Sequence, residues 1–404
     1  MHKINRREGM RTAIIGGGAA GFFLAVNLKE LVPEMDVTIF ERSHHVLSKV
    51  EVSGGGRCNC TNSFEGVTDL SQVYPRGYRL LKRLFNIFDY RDAYQWFEHH
   101  GVRLVTQDDH CVFPASQDSH TIIDCFLKEA RRLGISIRTG ERIGALDDVR
   151  AYDFVAVTTG GSPKGRGLQW LADSGHKIEN PVPSLFTFGI ADKELQSLMG
   201  AVVDPVIAFL PGTKFRAEGA LLVTHWGMSG PAILKLSSYA ARHLHEVMYQ
   251  APMGVNWTCL TDAEVMQALQ KELLRHPHRQ LSNINPFGLP QRLWSYLLAK
   301  SVGERMKMRC DELGRKDVNR LVNVLCNDTY QITSRAAFKE EFVTCGGISL
   351  KSVNSNTLES CYVPRLYFAG EVLDIDGITG GFNFQAAWTT AFTVARAISN
   401  AVRQ

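Results

Sequence analysis

The chain has 404 residues, 45% of them hydrophobic and 21% charged, enough to bury a large core spread over two or three domains. Its formal charge is only +4, so the overall balance calls for neither nucleic acid nor an anionic membrane, and no apolar run reaches the length of a membrane span. The nine cysteines are odd in number and scattered, as suits reduced thiols rather than a disulfide framework. Cys58 and Cys60 stand alone as C-x-C, so no metal site is expected. The polar start MHKINRREGM lacks the apolar core of a signal peptide, which points to a cytoplasmic protein.

The first predicted element is a short apolar strand, Thr12 to Ile15, which stops at Gly16, Gly17 and Gly18. Gly16, Gly18 and Gly21 satisfy G-x-G-x-x-G: one glycine for the tight turn, one for close approach of a pyrophosphate, one for packing the next helix on the strand. The helix from Ala19, through Ala20, to about Leu31 points its unpaired N–H groups and positive dipole end at that pyrophosphate. Pro33 ends it, Val37 to Phe40 forms the next strand, and Glu41, followed by Arg42, falls twenty residues after Gly21. An acid at that distance accepts hydrogen bonds from ribose hydroxyls. These features leave NAD and FAD both open.

Lys49 to Asn62, KVEVSGGGRCNCTN, reads as a loop dense in free N–H groups, suited to phosphate oxygens or a polar heterocycle edge, or equally to a surface turn that needs positive φ. Leu80, Leu81, Leu84, Phe85, Phe88, Tyr94, Trp96 and Phe97 recur at helical spacing and predict an amphipathic stretch over 76–100. Strands follow at 101–105 and 110–113, with His110 in the turn, then a helix over 121–133 and a strand over 135–137. The apolar strand Tyr152 to Thr158 ends at Thr159, Gly160 and Gly161.

Beyond Pro183 the texture changes. Alternating segments at 202–209 and 220–224, then helical stretches at 262–275, 290–300 and 316–327, predict an inserted β-rich domain with a small helical cap. In THWGMSGP, Ser229 is a candidate helix cap and Pro231 a tolerated first-turn residue. His225 is a candidate proton carrier. Strands at 343–347 and 366–369 then lead to Gly370, Glu371 and the run DIDGITGGFNFQ, with a helix from about Asn383 whose Ala386, Ala387 and Ala391 suit close packing on the first strand. That helix aims a positive end at whatever the glycines approach.

GGGAAG, SGGGRCNCTN and GEVLDIDGITGGFNFQ together resemble the BaiN-like, or aminoacetone-oxidase-like, family of FAD-dependent flavoproteins, over almost the whole chain. The resemblance implies a two-segment Rossmann-like α/β FAD-binding domain, residues 1–187 and 343–404, interrupted by the β-rich insert, residues 188–342. It also implies FAD contacts at Gly16, Gly18, Ala19, Ala20, Gly21, Glu41, Arg42, Lys49, Gly55, Gly56, Arg57, Cys58, Asn59, Ile143, Thr159, Gly160, Gly370, Glu371, Gly380, Gly381, Phe382 and Asn383. Arg57 and His225 are the candidate catalytic groups. The implied activity is hydride transfer between an organic substrate and flavin N5. No second glycine fingerprint stands between 100 and 340, so NAD(P)H would act as a soluble, transient donor. An amine-oxidase-type enzyme using oxygen, an RNA-modifying flavoprotein and a non-catalytic flavin protein are the alternatives. The RNA reading would use Arg131, Arg132, Lys164, Arg166, Arg305, Lys307 and Arg309.

Overall fold

The computed structural model describes residues 9–162, 165, 167–335 and 343–403. The chain falls into two compact units, Met1–Pro183 with Lys339–Gln404, and Ser184–Phe338.

The first unit is built on a five-stranded parallel sheet in the order Leu366–Phe368, Phe154–Val157, Arg11–Ile15, Asp36–Glu41, Ser136–Thr139. The first strand is central because both of its faces are covered: Ala13 and Ile14 are fully buried, as a run without polar alternation requires. The helix Ala19–Leu31 follows directly, and nine of its residues are buried, Phe22 to Val26 among them. Such a helix is apolar nearly all round and needs partners on more than one side. One is the C-terminal helix Phe382–Arg403, whose Trp388 ring lies 5.0 Å from that of Phe23. The C-terminal helix, which carries buried Ala386, Ala387 and Ala391, packs chiefly along the helix Ala19–Leu31. Trp96 closes on the same phenylalanine at 4.6 Å.

The stretch expected to be amphipathic over 76–100 is two helices, Tyr78–Leu84 and Tyr90–His99. Asp89 starts the second as a capping box, accepting from the Arg91 and Asp92 N–H groups while Asp92 accepts from its own. The hydrophobic spacing carries across the break because both helices bury the same face. His110 sits in the turn between Leu104–Thr106 and Cys111–Pro114 with φ 66°.

The second unit holds a closed six-stranded barrel in the order Val202–Phe209, Arg216–Val223, Gly227–Ser229, Phe188–Ile190, Asp328–Arg335, Ala251–Asn256. Its neighbours pair antiparallel, and closure leaves no edge strand exposed. The helices Asp262–Arg275, Gln291–Val302 and Arg315–Asn327 form a block on it. Buried Asp328 joins block to barrel: it accepts from Trp257 Nε1 at 3.0 Å and from the Tyr330 hydroxyl, and pairs with Lys300 Nζ at 2.5 Å. Ser229 is not a helix cap. It is the last residue of a barrel strand, paired with Leu222, and its hydroxyl meets that of Thr187 at 2.8 Å. Gly230 takes the cap position and Pro231 the first helical one, as the fixed proline φ allows.

Candidate cofactor site

The carboxyl ends of the parallel strands gather the candidate residues of the first unit. Gly16 turns the chain at φ 118°, where a Cβ would stand 2.5 Å from the Thr158 carbonyl oxygen. A Cβ on Gly21 would stand 2.0 Å from the Gly16 carbonyl oxygen. Both glycines are thus demanded by backbone contact. Gly18 differs: its φ is an ordinary −93°, and nothing lies within 4 Å of a Cβ built there. The space over Gly18 is open, and no side chain caps the helix that starts at Ala19. Unclaimed N–H groups facing open space are what a pyrophosphate requires.

Glu41 is held beside this turn. Its Oε2 accepts from the Gly17 N–H and its Oε1 from the Ser43 N–H, each at 2.9 Å. Each oxygen keeps a lone pair for ribose hydroxyls. Exposed Arg42 follows it, and the Glu141 N–H bonds the Glu41 carbonyl, which brings the loop carrying Ile143 to the same sheet edge.

On the other side of the first strand, the turn Thr159–Gly160 meets Gly370–Glu371. A Cβ on Gly370 would lie 2.9 Å from the Ala20 Cβ, so the last strand delivers its turn onto the first turn of the glycine helix. Glu371 takes the Thr344 N–H on one oxygen and pairs with Lys49 Nζ on the other, both at 2.7 Å. Gly16, Gly18, Ala19, Ala20, Gly21, Glu41, Lys49, Thr159, Gly160, Gly370 and Glu371 therefore belong to one cleft edge.

The stretch 49–62, expected as a loop, instead begins within a helical segment from Ser48, which breaks at Ser53 (φ −68°, ψ 147°) into left-handed Gly54, Gly55 and Gly56. Nothing lies within 4 Å of a Cβ on Gly55 or Gly56. Arg57 is held in place: its Nε donates to the Gly54 carbonyl, its Nη1 donates to Gln117 Oε1, and its guanidinium lies 4.3 Å from the Phe113 ring centre. Cys58 points into the core, and burial pushes its thiol up to about 12. Asn59 donates to the Thr61 carbonyl at 2.8 Å and to the Val112 carbonyl at 3.3 Å, while its amide oxygen accepts from the Gly381 N–H at 3.2 Å. A Cβ on Gly381 would lie 2.2 Å from the Thr61 oxygen. SGGGRCN and TGGFN, more than three hundred residues apart, are thus bonded to each other.

Two residues of the second run serve the protein's own packing. Phe382 is buried with its ring 5.1 Å from that of Phe64, and Asn383 uses both ends of its amide on the Gly377 backbone. His225 lies on the second unit, exposed, with its ring 4.5 Å from that of Trp226.

Sequence reasoning missed three supports. Thr158 donates to the Gly16 carbonyl at 2.9 Å and to the Ile15 carbonyl at 3.2 Å, pinning the glycine turn. Gln385, fully buried, accepts from the Thr61 hydroxyl at 2.6 Å. Arg76 makes a two-pronged ion pair with fully buried Asp376 in the DIDG run. Glu30, His100 and Glu129 could together offer ligand atoms to a metal. Arg132 already bonds both carboxylates, so the cluster is balanced as an ion-pair network.

The chain belongs to the HI0933-like protein Rossmann domain family, whose model matches residues 10–397, and it is an FAD-dependent oxidoreductase of the BaiN-like kind that its motifs resemble. It is 27% identical to the 3-dehydro-bile acid delta(4,6)-reductase of Clostridium scindens, over 96% of this chain and 98% of that protein. It is 29% identical to the ribosomal RNA dihydrouridine synthase of Escherichia coli, over 95% and 96%. Among solved structures, 3-ketosteroid delta1-dehydrogenase from Sterolibacterium denitrificans aligns over 98% of this chain and 100% of that one, at 10% identity and a TM-score of 0.49. The open space over Gly18, the unclaimed helix N–H groups and the Glu41 carboxylate fit the pyrophosphate and ribose of FAD.

Proposed function

We propose that this member of the HI0933-like family reduces a carbon–carbon double bond conjugated to a carbonyl group, with FAD as cofactor and soluble NAD(P)H as donor. The observation that carries this reading is the bond type shared by the substrates of the two relatives described above. A 3-dehydro bile acid with delta(4,6) unsaturation and a uridine both present an alkene whose far carbon accepts hydride and whose near carbon accepts a proton. When bound, FAD supplies the hydride chemistry at its N5.

The chain's own residues bind and orient. Gly18 and the first turn of the glycine helix hold the pyrophosphate, and Glu41 holds the ribose. Asn59 with Gly381 sets the distance between the two loops that reach the reactive end. Arg57, fixed on Phe113 and Gln117, offers a positive charge on that side, where it stabilises charge developing on a carbonyl oxygen. His225 is the candidate proton donor of this reading.

The test is anaerobic. NADPH or NADH is added to the FAD-loaded protein and flavin absorbance is followed, then a 3-oxo-4,6-diene steroid is added and reoxidation is timed. Bleaching followed by rapid recovery is expected. Bleaching with no recovery on any enone, or reoxidation by oxygen alone with amines as the only effective donors, would sink the proposal.

A second reading places the same bond in a uracil of ribosomal RNA. It is supported by the match over 95% of this chain to a ribosomal RNA dihydrouridine synthase. Uridine loss from ribosomal RNA incubated with enzyme and NADPH, read by mass spectrometry, separates the two.

A further inference from the structure

The formal charge of +4 is unevenly placed. In Ser184–Phe338 the lysines and arginines outnumber the acids by that whole difference, while the rest of the chain is balanced. The basic residues singled out from the sequence do not supply this surplus. Arg305 pairs with Asp317 at 3.4 Å, Lys307 with Glu304 at 2.6 Å, and Arg309 with Asp311. In the first unit Arg132 is bound to Glu30 and Glu129, and Lys164 and Arg166 lie outside the described residues.

Three of the cations that make no ion pair among the described residues lie together on the helix Arg315–Asn327. Its inner face buries Leu321, Val322, Leu325 and Cys326, and its one acid, Asp317, is buried with them. Lys316, Asn319, Arg320, Asn323 and Asn327 are all exposed and share one outer face by their three- and four-residue spacing, with Arg315 beside it. Among the described residues none of Arg315, Lys316 and Arg320 makes an ion pair. Two of these cations occupy the first helical turn, where the dipole disfavours positive charge. They are therefore not there for the helix's own stability.

We propose that this face binds the phosphate backbone of RNA. The inference rests on the ribosomal RNA reading above. Arginines and lysines one turn apart, about 6 Å along the axis, supply phosphate contacts. The asparagine amides between them bond sugar hydroxyls and base edges. A membrane-binding helix would instead set large apolar side chains among its cations, and this face has none.

The experiment uses the full chain loaded with FAD, a ribosomal RNA fragment transcribed in vitro, and fluorescence anisotropy at rising KCl. The triple variant Arg315→Gln, Lys316→Gln, Arg320→Gln keeps helix propensity, so thermal melting and flavin content stay at wild-type values. Its affinity falls at least tenfold at moderate salt, and the slope of log K against log salt becomes shallower by about two, as the loss of three phosphate contacts requires. Arg315→Lys with Arg320→Lys restores most of the binding. Unchanged affinity and slope in the triple variant would overturn the proposal, as would wild-type protein that binds phosphatidylserine vesicles but not RNA. If neither protein binds RNA while both reduce an enone, the surface assignment fails and the reductase reading stands.

Discussion

Gly18→Val and Gly21→Ala alter two glycines of the same fingerprint and should fail in different ways. At Gly18 the backbone is in an extended conformation open to any residue, and a Cβ meets nothing within 4 Å. The variant without cofactor should therefore melt within about 1 kcal/mol of the wild type. Its isopropyl group fills the space that the pyrophosphate needs. FAD affinity should fall at least a hundredfold, about 2.7 kcal/mol. At Gly21 a Cβ would lie 2.0 Å from the Gly16 oxygen and 2.9 Å from Thr158 Oγ1. The Gly16 oxygen is backbone and cannot swing away, so the helix must shift off the strand. Overpacking of this kind costs about 1–3 kcal/mol in the apoprotein itself. The assay pairs thermal melts of flavin-stripped protein with flavin-to-protein absorbance after gel filtration. A Gly18→Val protein that stays fully yellow would refute the pyrophosphate argument. Equal apoprotein losses in the two variants would refute the separation of packing from binding.

Other expectations follow from the supports around the cleft. Asn59→Leu keeps volume but strips the bonds to Thr61, Val112 and Gly381, leaving unpaired backbone groups worth about 1–3 kcal/mol; denaturant melts and FAD titration should both register it, and wild-type behaviour in both would remove Asn59 as the clamp. Arg76→Gln removes the two-pronged ion pair to fully buried Asp376 and should cost about 3–5 kcal/mol, while adding Asp376→Asn should recover part of the loss, and simple additivity in a double-mutant cycle would count against the coupling. His100 presents Nδ1 to the Trp96 carbonyl at 2.7 Å and Nε2 to Glu30 at 3.2 Å. Burial opposes its charge, but the bonds to Glu30 and the Trp96 carbonyl outweigh it and raise its pKa, while the His100 bond lowers that of Glu30. The histidine's contribution is then complete below its unfolded value of about 6.5 and fades as pH rises through the raised native one; that of Glu30 is complete above about 4.3 and fades as pH falls through its lowered value. Stability of the wild type relative to His100→Gln should therefore drop as pH rises above about 6.5 in melting scans, and parallel curves would contradict the pairing. Iodoacetamide on native protein should label exposed Cys361 well before Cys58, whose thiol is pushed up to about 12 by burial, and early labelling of Cys58 by peptide mass mapping would show that the SGGGRCN segment opens.

What was legible in the sequence is what short-range geometry dictates. The glycine turn and its helix could be read because glycine spacing and the end of an apolar run are local facts. The barrel strand Val202–Phe209 and the helix Asp262–Arg275 could be read for the same reason. The break at Asp89 was also written locally, as a D-x-x-D box, but the hydrophobic repeat running through it masked the signal. Ser229 misled because its cap-like neighbours Gly230 and Pro231 are local, whereas the strand pairing with Leu222 that claims it is not. Arg76 with Asp376, and Thr61 with Gln385, were beyond reach because neither partner's neighbourhood distinguishes it from a surface residue.

Those long-range bonds decide how the cleft can form. The Trp388 indole donates to the Cys60 carbonyl at 2.7 Å, Asn62 donates to the Gly380 carbonyl at 2.9 Å, and the Thr61 hydroxyl donates to Gln385. The loop after SGGGRCN is thus fastened to a helix from the far end of the chain. Without the segment 343–404 the sheet loses its edge strand Leu366–Phe368, and Phe23 loses the Trp388 ring beside it. Phe22 and Phe23, fully buried in the intact unit, would then face water with only part of their cover, at about 1.5–3 kcal/mol for each side chain exposed. A fragment of residues 1–183 should be poorly soluble and colourless even when refolded with FAD. Co-refolding it with a separate 343–404 segment should restore flavin fluorescence quenching. A soluble, FAD-bound 1–183 fragment would mean that the glycine turn and Glu41 suffice, and that the clasp between the two segments serves stability alone.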